Sequence, residues 1–465
     1  MHMRTAIIIL LLSLSPAFAQ ERLDMDKAVG LALGQNHSLK GATSDLESAR
    51  WGKLNAVTNF LPKVDLTSSY TRIDPETEVR ANAALDFIKL AAGTLGIPPA
   101  ALADLKPFAY RETYSTDLTV IQPVYNGGAE ILGVRFADAL QDRSEYSYQD
   151  TEQDVIARVK TSYLTVLKAQ ELVSLAKEAS ERTKRNLEMI RRRASVGQRT
   201  QTDVLRWEVQ LASDEGNIVN AENFLAIAHL QLNDVMGVEL SKQFALERIP
   251  AADSAVAQSA APGSVMRFAV LRQEPEIEPL SMSFLDNHPA MKTMETNLRL
   301  ADLNISKSWV NFQPRVNLAF QYGWEKNNTL KLDGIRPWAL SLSVSFPVFN
   351  GFGDYTNLQK ASAEYKRTEE QVEGYRRGLL MQATNAQLTV KSTQKRVDIA
   401  RKGQQEASDV LNSVSRRYEM GGASNVDLID VQTAYTQAKT NFITAVYDNF
   451  IAEVQLARAL GNVTR

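Results

Sequence analysis

Few side chains in this sequence could make or break bonds, and none of them stand together. His37, His229 and His288 are far apart, and there is no cysteine, no metal-ligand spacing and no glycine-rich phosphate loop. Catalysis therefore lacks its parts, and Asn36-His37 and Asn287-His288 read as helix starts or caps. The acids with an informative spacing are Asp427 and Asp430, three apart just after Gly421 and Gly422. In a helix they share one face of the first turn, where carboxylates suit the positive end of the helix dipole. What is on offer is electrostatic rather than covalent. What the acids act on depends on the elements that hold them.

Those elements come twice. Gln122 to Gly127 recurs as Phe346 to Gly351, Val196 to Asp203 as Met420 to Asp427, and Phe60 to Leu66 as Phe312 to Leu318. A duplication this long is a statement about the fold. All 15 prolines lie outside two tracts, from Val124 to Ile249 and from Val348 to the end, so both tracts can be helical nearly throughout. In the first, Val159, Val166, Val173, Ser180, Leu187 and Ala194 recur every seventh residue, with Ala169, Ala176 and Ile190 offset by three. Their counterparts are Ala383, Val390, Val397, Gln404, Leu411 and Tyr418. This is a coiled-coil seam. A helix from Gly128 to Ala194 would be about 100 Å long, too long for the core of a globular domain. Each long helix should end at a glycine, Gly197 or Gly421, and a returning helix should start at an N-cap, Thr200 or Ser424. Val204, Leu211, Ile218, Leu225 and Leu232 continue the seam on the way back.

Before each hairpin lie two short segments of alternating polarity. Val316, Leu318, Phe320, Tyr322 and Trp324 alternate with Asn317, Ala319, Gln321 and Gly323; Trp338, Leu340, Leu342, Val344 and Phe346 alternate with Ala339, Ser341, Ser343 and Ser345. The first copy is weaker: Val64, Leu66 and Tyr70, then Tyr114, Thr116, Leu118 and Val120. Barrel strands with lipid outside and water inside look like this, and so do the strands of a soluble sandwich. Four strands cannot close in lipid; two copies would give eight strands and a filled interior, three would give twelve and a lumen.

The N-terminus carries Arg4, an apolar run from Ala6 to Leu12 and Ala17-Phe18-Ala19, the pattern of a signal peptide cut after Ala19. A formal charge of −2 with many charges of both signs argues against nucleic acid as partner. The chain thus reads as residues 1–19 signal, 20–237 first repeat, 238–283 linker and 284–465 second repeat, with an insert at 71–111 between the first two strands. In the insert, Ala83 to Ala92 is helix-like, Pro98-Pro99 breaks it, and Ala100 to Leu105 is apolar again. In a barrel such an insert should lie on the extracellular side, where loops are longer, and its content fits a folded cap over the barrel mouth, or packing among neighbouring inserts.

From about Leu23 to Val463 the sequence resembles the TolC-type outer-membrane efflux and secretion channels. The likeness rests on the paired Asn-His helix starts, the Leu61-Pro62 and Gln313-Pro314 strand entries, the exits at Gln122 to Gly127 and Phe346 to Gly351, and the glycine tips, all in order and in duplicate. It implies a mainly α protein with a transmembrane β-barrel: a homotrimer whose twelve-stranded barrel in the outer membrane continues as a long periplasmic α-barrel, with residues 238–283 in an equatorial belt. It also implies a periplasmic adaptor and an inner-membrane pump as partners, outer-membrane lipid around the barrel, small-molecule export as function and no cofactor. Protein secretion by a type I system and metal-ion efflux are alternatives within the class, and a periplasmic coiled-coil scaffold is one outside it.

By the same likeness, Asp427 and Asp430 form carboxylate rings at the periplasmic pore entrance, which would favour cations. Tyr418 with Asp203 would latch that entrance. The family's tip arginine is replaced by Ala423, for which Arg199 of the first copy could compensate. Gly197, Thr200, Gly421 and Ser424 would meet the adaptor.

Overall fold

The structure is a computed structural model describing residues 21–102, 105–248, 282–327 and 338–463. The signal peptide and most of the linker lie outside the described residues. The chain divides into two compact units. One contains the chain up to Asp45 with Glu145–Thr293 and Glu373–Arg465; the other contains Leu46–Ser144 and Met294–Val372.

The first unit is built on antiparallel helices. Helix α4 (Ala129–Ser195) and helix α8 (Gly353–Glu419) each run for 67 residues, and α5 (Gln201–Met236) and α9 (Asn425–Ala459) return. The seam is where the heptads place it: Val159, Val166, Val173, Ser180, Leu187 and Ile190 are buried, as are Val204, Leu232, Ala383, Val390 and Tyr418. Ion pairs set the register between helices, Lys177 with Glu222 (2.7 Å) and Arg191 with Glu208 (2.6 Å) from α4 to α5, and Lys168 with Asp448 (3.1 Å) and Lys439 with Glu178 (2.8 Å) between α4 and α9. Most are half exposed, worth about 0–1 kcal/mol each, so cohesion comes from the seam.

At the far end from the glycine turns, the seam meets α1 (Met25–Gln35) and a small parallel pair, β1 (Glu21–Leu23) on β4 (Phe244–Leu246). The buried Tyr163 hydroxyl lies 2.9 Å from the Leu23 carbonyl and 2.7 Å from that of Glu247, able to donate to either. Asn36 caps α2 (His37–Thr58), its Oδ1 accepting from the Ser38 and Leu39 amides, while its Nδ2 donates to the Val235 carbonyl at the end of α5. In the second copy, the short α6 (Ser283–Asn287) ends where α7 (Pro289–Val310) begins, and His288 itself, rather than Asn287, accepts from the Ala290 amide (3.2 Å). Gly461, at φ 68°, lies against that histidine: a Cβ there would come within 2.7 Å of the ring.

The second unit holds a four-stranded antiparallel sheet in the order β2 (Lys63–Arg72), β3 (Glu112–Asn126), β5 (Arg315–Asn327), β6 (Ala339–Ser345). Register decides which side chains share a face. Val64 and Leu66 stand opposite Val120 and Leu118, these opposite Phe320 and Tyr322, and Phe320 and Leu318 opposite Leu340 and Leu342. One face is therefore largely apolar, interrupted by Ser68, Thr116 and Gln122. The other carries Asp65, Thr67, Ser115, Asp117, Asn317, Gln321, Ser341 and Ser343. A bulge at Pro123 to Tyr125 shifts the ladder where β3 leads towards α4. β2 and β6 are both edges. Between β2 and β3, helix α3 (Pro75–Thr94) starts earlier than the apolar content alone indicates, because Asp74 accepts from the Thr77 amide and Pro75 occupies the first turn. A 3₁₀ turn at Pro99–Leu102 follows. Among the described residues, no helix is long and apolar enough to cross a membrane.

Candidate functional site

The two hairpin tips in the first unit are built alike. At the first, the Gln198 amide donates to the Arg193 carbonyl (2.9 Å) and the Gly197 amide to that of Ala194 (3.0 Å); at the second, Gly422 donates to Arg417 (2.7 Å) and Gly421 to Tyr418 (3.1 Å). This paired pattern closes a helix through a left-handed residue, and Gly197 and Gly421 have φ of 76° and 80°. Three residues after each glycine the next helix opens with a capping box. The Thr200 hydroxyl accepts from the Asp203 amide while the Asp203 carboxylate accepts from the Thr200 amide (3.1 Å), and Ser424 with Asp427 does the same (2.9 Å from the Ser424 amide).

The capping box gives Asp427 a local task. Hydrogen bonds from the Ser424 amide and hydroxyl, with Arg417 nearby, hold its carboxyl below the usual carboxylate range. Asp430 stands one turn on. Both acids are exposed, whereas Asn425 and Leu428, each two residues earlier, are buried against the other hairpin at 2 % and 3 % exposure. The sequence pair thus does share the face directed away from the hairpin contact.

Tyr418 is 1 % exposed and sits in an apolar cluster with Leu187, Ile190, Val204, Trp207 and Leu428, drawn from both hairpins. Its hydroxyl donates to Asn425 Oδ1, not to Asp203. The Arg199 guanidinium lies over its ring at 5.2 Å and Arg193 at 5.9 Å, so the first-copy arginine does reach it. Asp203 is held below its ordinary range by the Asn425 amide beside it, then by Thr200 and the charge of Arg199. Burial pushes the Tyr418 hydroxyl up, so it stays a neutral donor. Ala423 packs at the edge of the apolar cluster. Sequence reasoning missed Asn425, which takes the tyrosine's hydrogen bond, and Arg193. The signal was present in part: a polar residue directly after an N-cap, on the buried side of the helix.

Together these groups form a neutral-to-basic knot, Tyr418, Asn425, Arg199 and Asp203, that ties one hairpin to the other next to an exposed acidic face. Among the described residues, no group of histidines and acids could hold a metal ion.

The sequence matches the family model described as outer membrane efflux protein over residues 28–238 and 280–462. The outer membrane protein TolC of Vibrio cholerae is 22 % identical over 353 residues, covering 71 % of this chain and 76 % of that protein. The cobalt-zinc-cadmium resistance protein CzcC of Cupriavidus metallidurans is 22 % identical over 464 residues, 97 % of this chain and 93 % of that protein. The CmeC outer membrane channel of Campylobacter jejuni has the same fold, with a TM-score of 0.74 at 17 % identity over 94 % of this chain and 85 % of that one. A helical rod alone, the scaffold alternative, would not carry the amphipathic sheet that accompanies these hairpins. With both copies of the repeat matched, the chain belongs to the outer membrane efflux protein family.

Proposed function

We propose that three copies of this chain assemble into one outer-membrane channel that passes small molecules from an inner-membrane pump, through a periplasmic adaptor, out of the cell. The observation that carries this is the sheet: four strands, one face largely apolar, and both edges open. In hydrocarbon an open edge leaves backbone groups without partners at several kcal/mol each, so β2 of one copy must pair with β6 of the next. The polar face then lines water. The protein does no chemistry, and energy comes from the pump. Gly197, Thr200, Gly421 and Ser424 form the rigid turns offered to the adaptor. Tyr418, Asn425, Arg199 and Asp203 hold the entrance closed, and Asp427 and Asp430 ring it.

Mass measurement in detergent tests the assembly, and a monomer or dimer refutes it. The acidic rings are tested by block. Six crowded carboxylates repel one another, so a trivalent cation gains Coulomb energy there that a monovalent ion does not. Submillimolar hexaamminecobalt(III) should block the wild-type channel. The Asp427→Asn, Asp430→Ala double variant, which keeps an acceptor for the Ser424 cap, should not be blocked. Persistent block would mean that the acids face away from the pore.

Export of metal ions is a second reading, favoured by the near full-length match to a metal-resistance protein. Loss of cobalt, zinc or cadmium tolerance on deletion, with drug tolerance intact, would select it.

A further inference from the structure

Helix α3 has two apolar faces on opposite sides. Leu85 and Ala92 point inward at 3 % and 5 % exposure, and the insert is fastened by Asn82, whose Oδ1 accepts from the Phe108 and Ala109 amides (2.8 and 3.1 Å) and whose Nδ2 donates to the Ala109 carbonyl (2.8 Å). At about 100° per residue, Val79, Ala83, Phe87 and Leu90 fall on the opposite side. There Val79 is 65 %, Phe87 71 % and Leu90 70 % exposed. Steps of four, four and three are those of a helix-to-helix seam. The helix already packs on its own chain, so this second seam awaits another helix.

Three observations say whose. First, α3 starts within three residues of the end of β2, an open edge of the sheet, so the copy that pairs with β2 stands beside it. Second, the charges do not suit an anionic lipid surface: Glu76, Glu78 and Asp86 outnumber Arg80 and Lys89, Arg80 is paired with Glu76 (3.3 Å), and the basic flank of an interfacial helix is missing. Third, the sizes match. Twelve strands about 4.8 Å apart, tilted by about 40°, enclose a mouth about 24 Å across. A 20-residue helix is about 30 Å long. Three helices rooted on that rim stand about 20 Å apart, and leaning inward by about 6 Å each brings them to helix-packing distance.

We infer that the Val79, Ala83, Phe87 and Leu90 stripe packs against the same stripe of two further copies, forming a three-helix cluster over the outer mouth. This rests on the trimeric reading above. It gives the channel a second constriction, at the outer mouth.

The chain has no cysteine, so introduced thiols report alone. Leu90→Cys and, independently, Val79→Cys should give disulfide-linked dimers under mild oxidation at least tenfold above Lys89→Cys, which lies off the stripe. Phe87→Glu should raise single-channel conductance at least twofold. If the detergent complex has the mass of a trimer and stripe thiols cross-link no better than Lys89→Cys, the cluster is refuted while the trimer stands. Stripe thiols labelled instead by a membrane-soluble maleimide would refute it in favour of lipid. A complex that is not trimeric by mass overturns the trimer itself, and the cluster with it.

Discussion

Replacing Tyr418 by Phe removes one oxygen from the second hairpin, where the hydroxyl bonds Asn425 across the Gly421 turn, and nothing else. The ring keeps its burial and its place under Arg199 at 5.2 Å, but Asn425 Oδ1 loses its donor inside a site where Asn425 is 2 % exposed. An orphaned buried acceptor costs about 1–3 kcal/mol, whereas removing Arg199 should cost only about 0.5–1 kcal/mol of cation–π attraction. If the knot holds the entrance shut, about 1.4 kcal/mol raises the open fraction tenfold. Because Tyr418 positions Asn425, which meets Asp203 of the other hairpin, Tyr418→Phe should open the channel more than Arg199→Ala, and the Tyr418→Phe, Asp203→Ala pair should open it further. Bilayer recording of conductance and amide exchange at Gly421 to Val426 read the two sides of this. A Tyr418→Phe, Asn425→Ala double variant should cost less than the sum of its parts, because no acceptor is left unpaired. Unchanged conductance in the Tyr418→Phe, Asp203→Ala pair, with a normal trimer, would show that other contacts close the entrance.

Glu453 carries a pH dependence. Burial pushes its carboxyl from 4.5 up to about 7, against the hydrogen bond from the Asn449 amide (2.8 Å). A raised carboxyl costs nothing below its unfolded value and destabilises progressively as pH climbs from about 4.5 to 7. The residue is only half-buried, so about 2 kcal/mol is expected rather than the about 3 kcal/mol of the full shift. Glu453→Gln should flatten stability between pH 5 and 8 in thermal unfolding followed by helical circular dichroism; an unchanged slope would count against the burial argument. On the sheet, Leu342→Arg should cost about 2–4 kcal/mol and reduce assembly into membranes, while Ser343→Arg should assemble normally and change ion selectivity, as judged by fractionation and recording. Equal tolerance at both would mean that the apolar face does not meet lipid.

Much of this was legible because the long helices are written in a strict code: no proline, an apolar residue every seventh position, and a glycine followed by a hydroxyl N-cap. Val159 to Leu187 and Gly197 to Thr200 needed no tertiary information. The first-copy strands were fainter because Ser68 and Thr116 interrupt their apolar face, and only the ladder puts them opposite one another. The start of α3 was spelled out in Asp74-Pro75 but obscured by the weakly periodic residues around it. Asn425 was out of reach in a different way. Its partner Tyr418 lies on the other side of a glycine turn, and nothing in spacing alone tells a buried amide from a solvated one.

Each hairpin turn is closed entirely by neighbours in sequence: paired amide-to-carbonyl bonds across Gly197 or Gly421, then a reciprocal hydroxyl and carboxylate bond three residues on. None of these bonds reaches the opposite hairpin, so parting the hairpins breaks none of them. The turns can swing as preformed pieces, the second carrying the bond from Tyr418 to Asn425 with it, while the contacts of Arg199 with Tyr418 and of Asp203 with Asn425 between the hairpins are made and remade. Stiffness and reversibility are thus assigned to different bonds. Damage to a turn should lower the yield of assembled protein, whereas damage to the knot should change how often an assembled protein conducts.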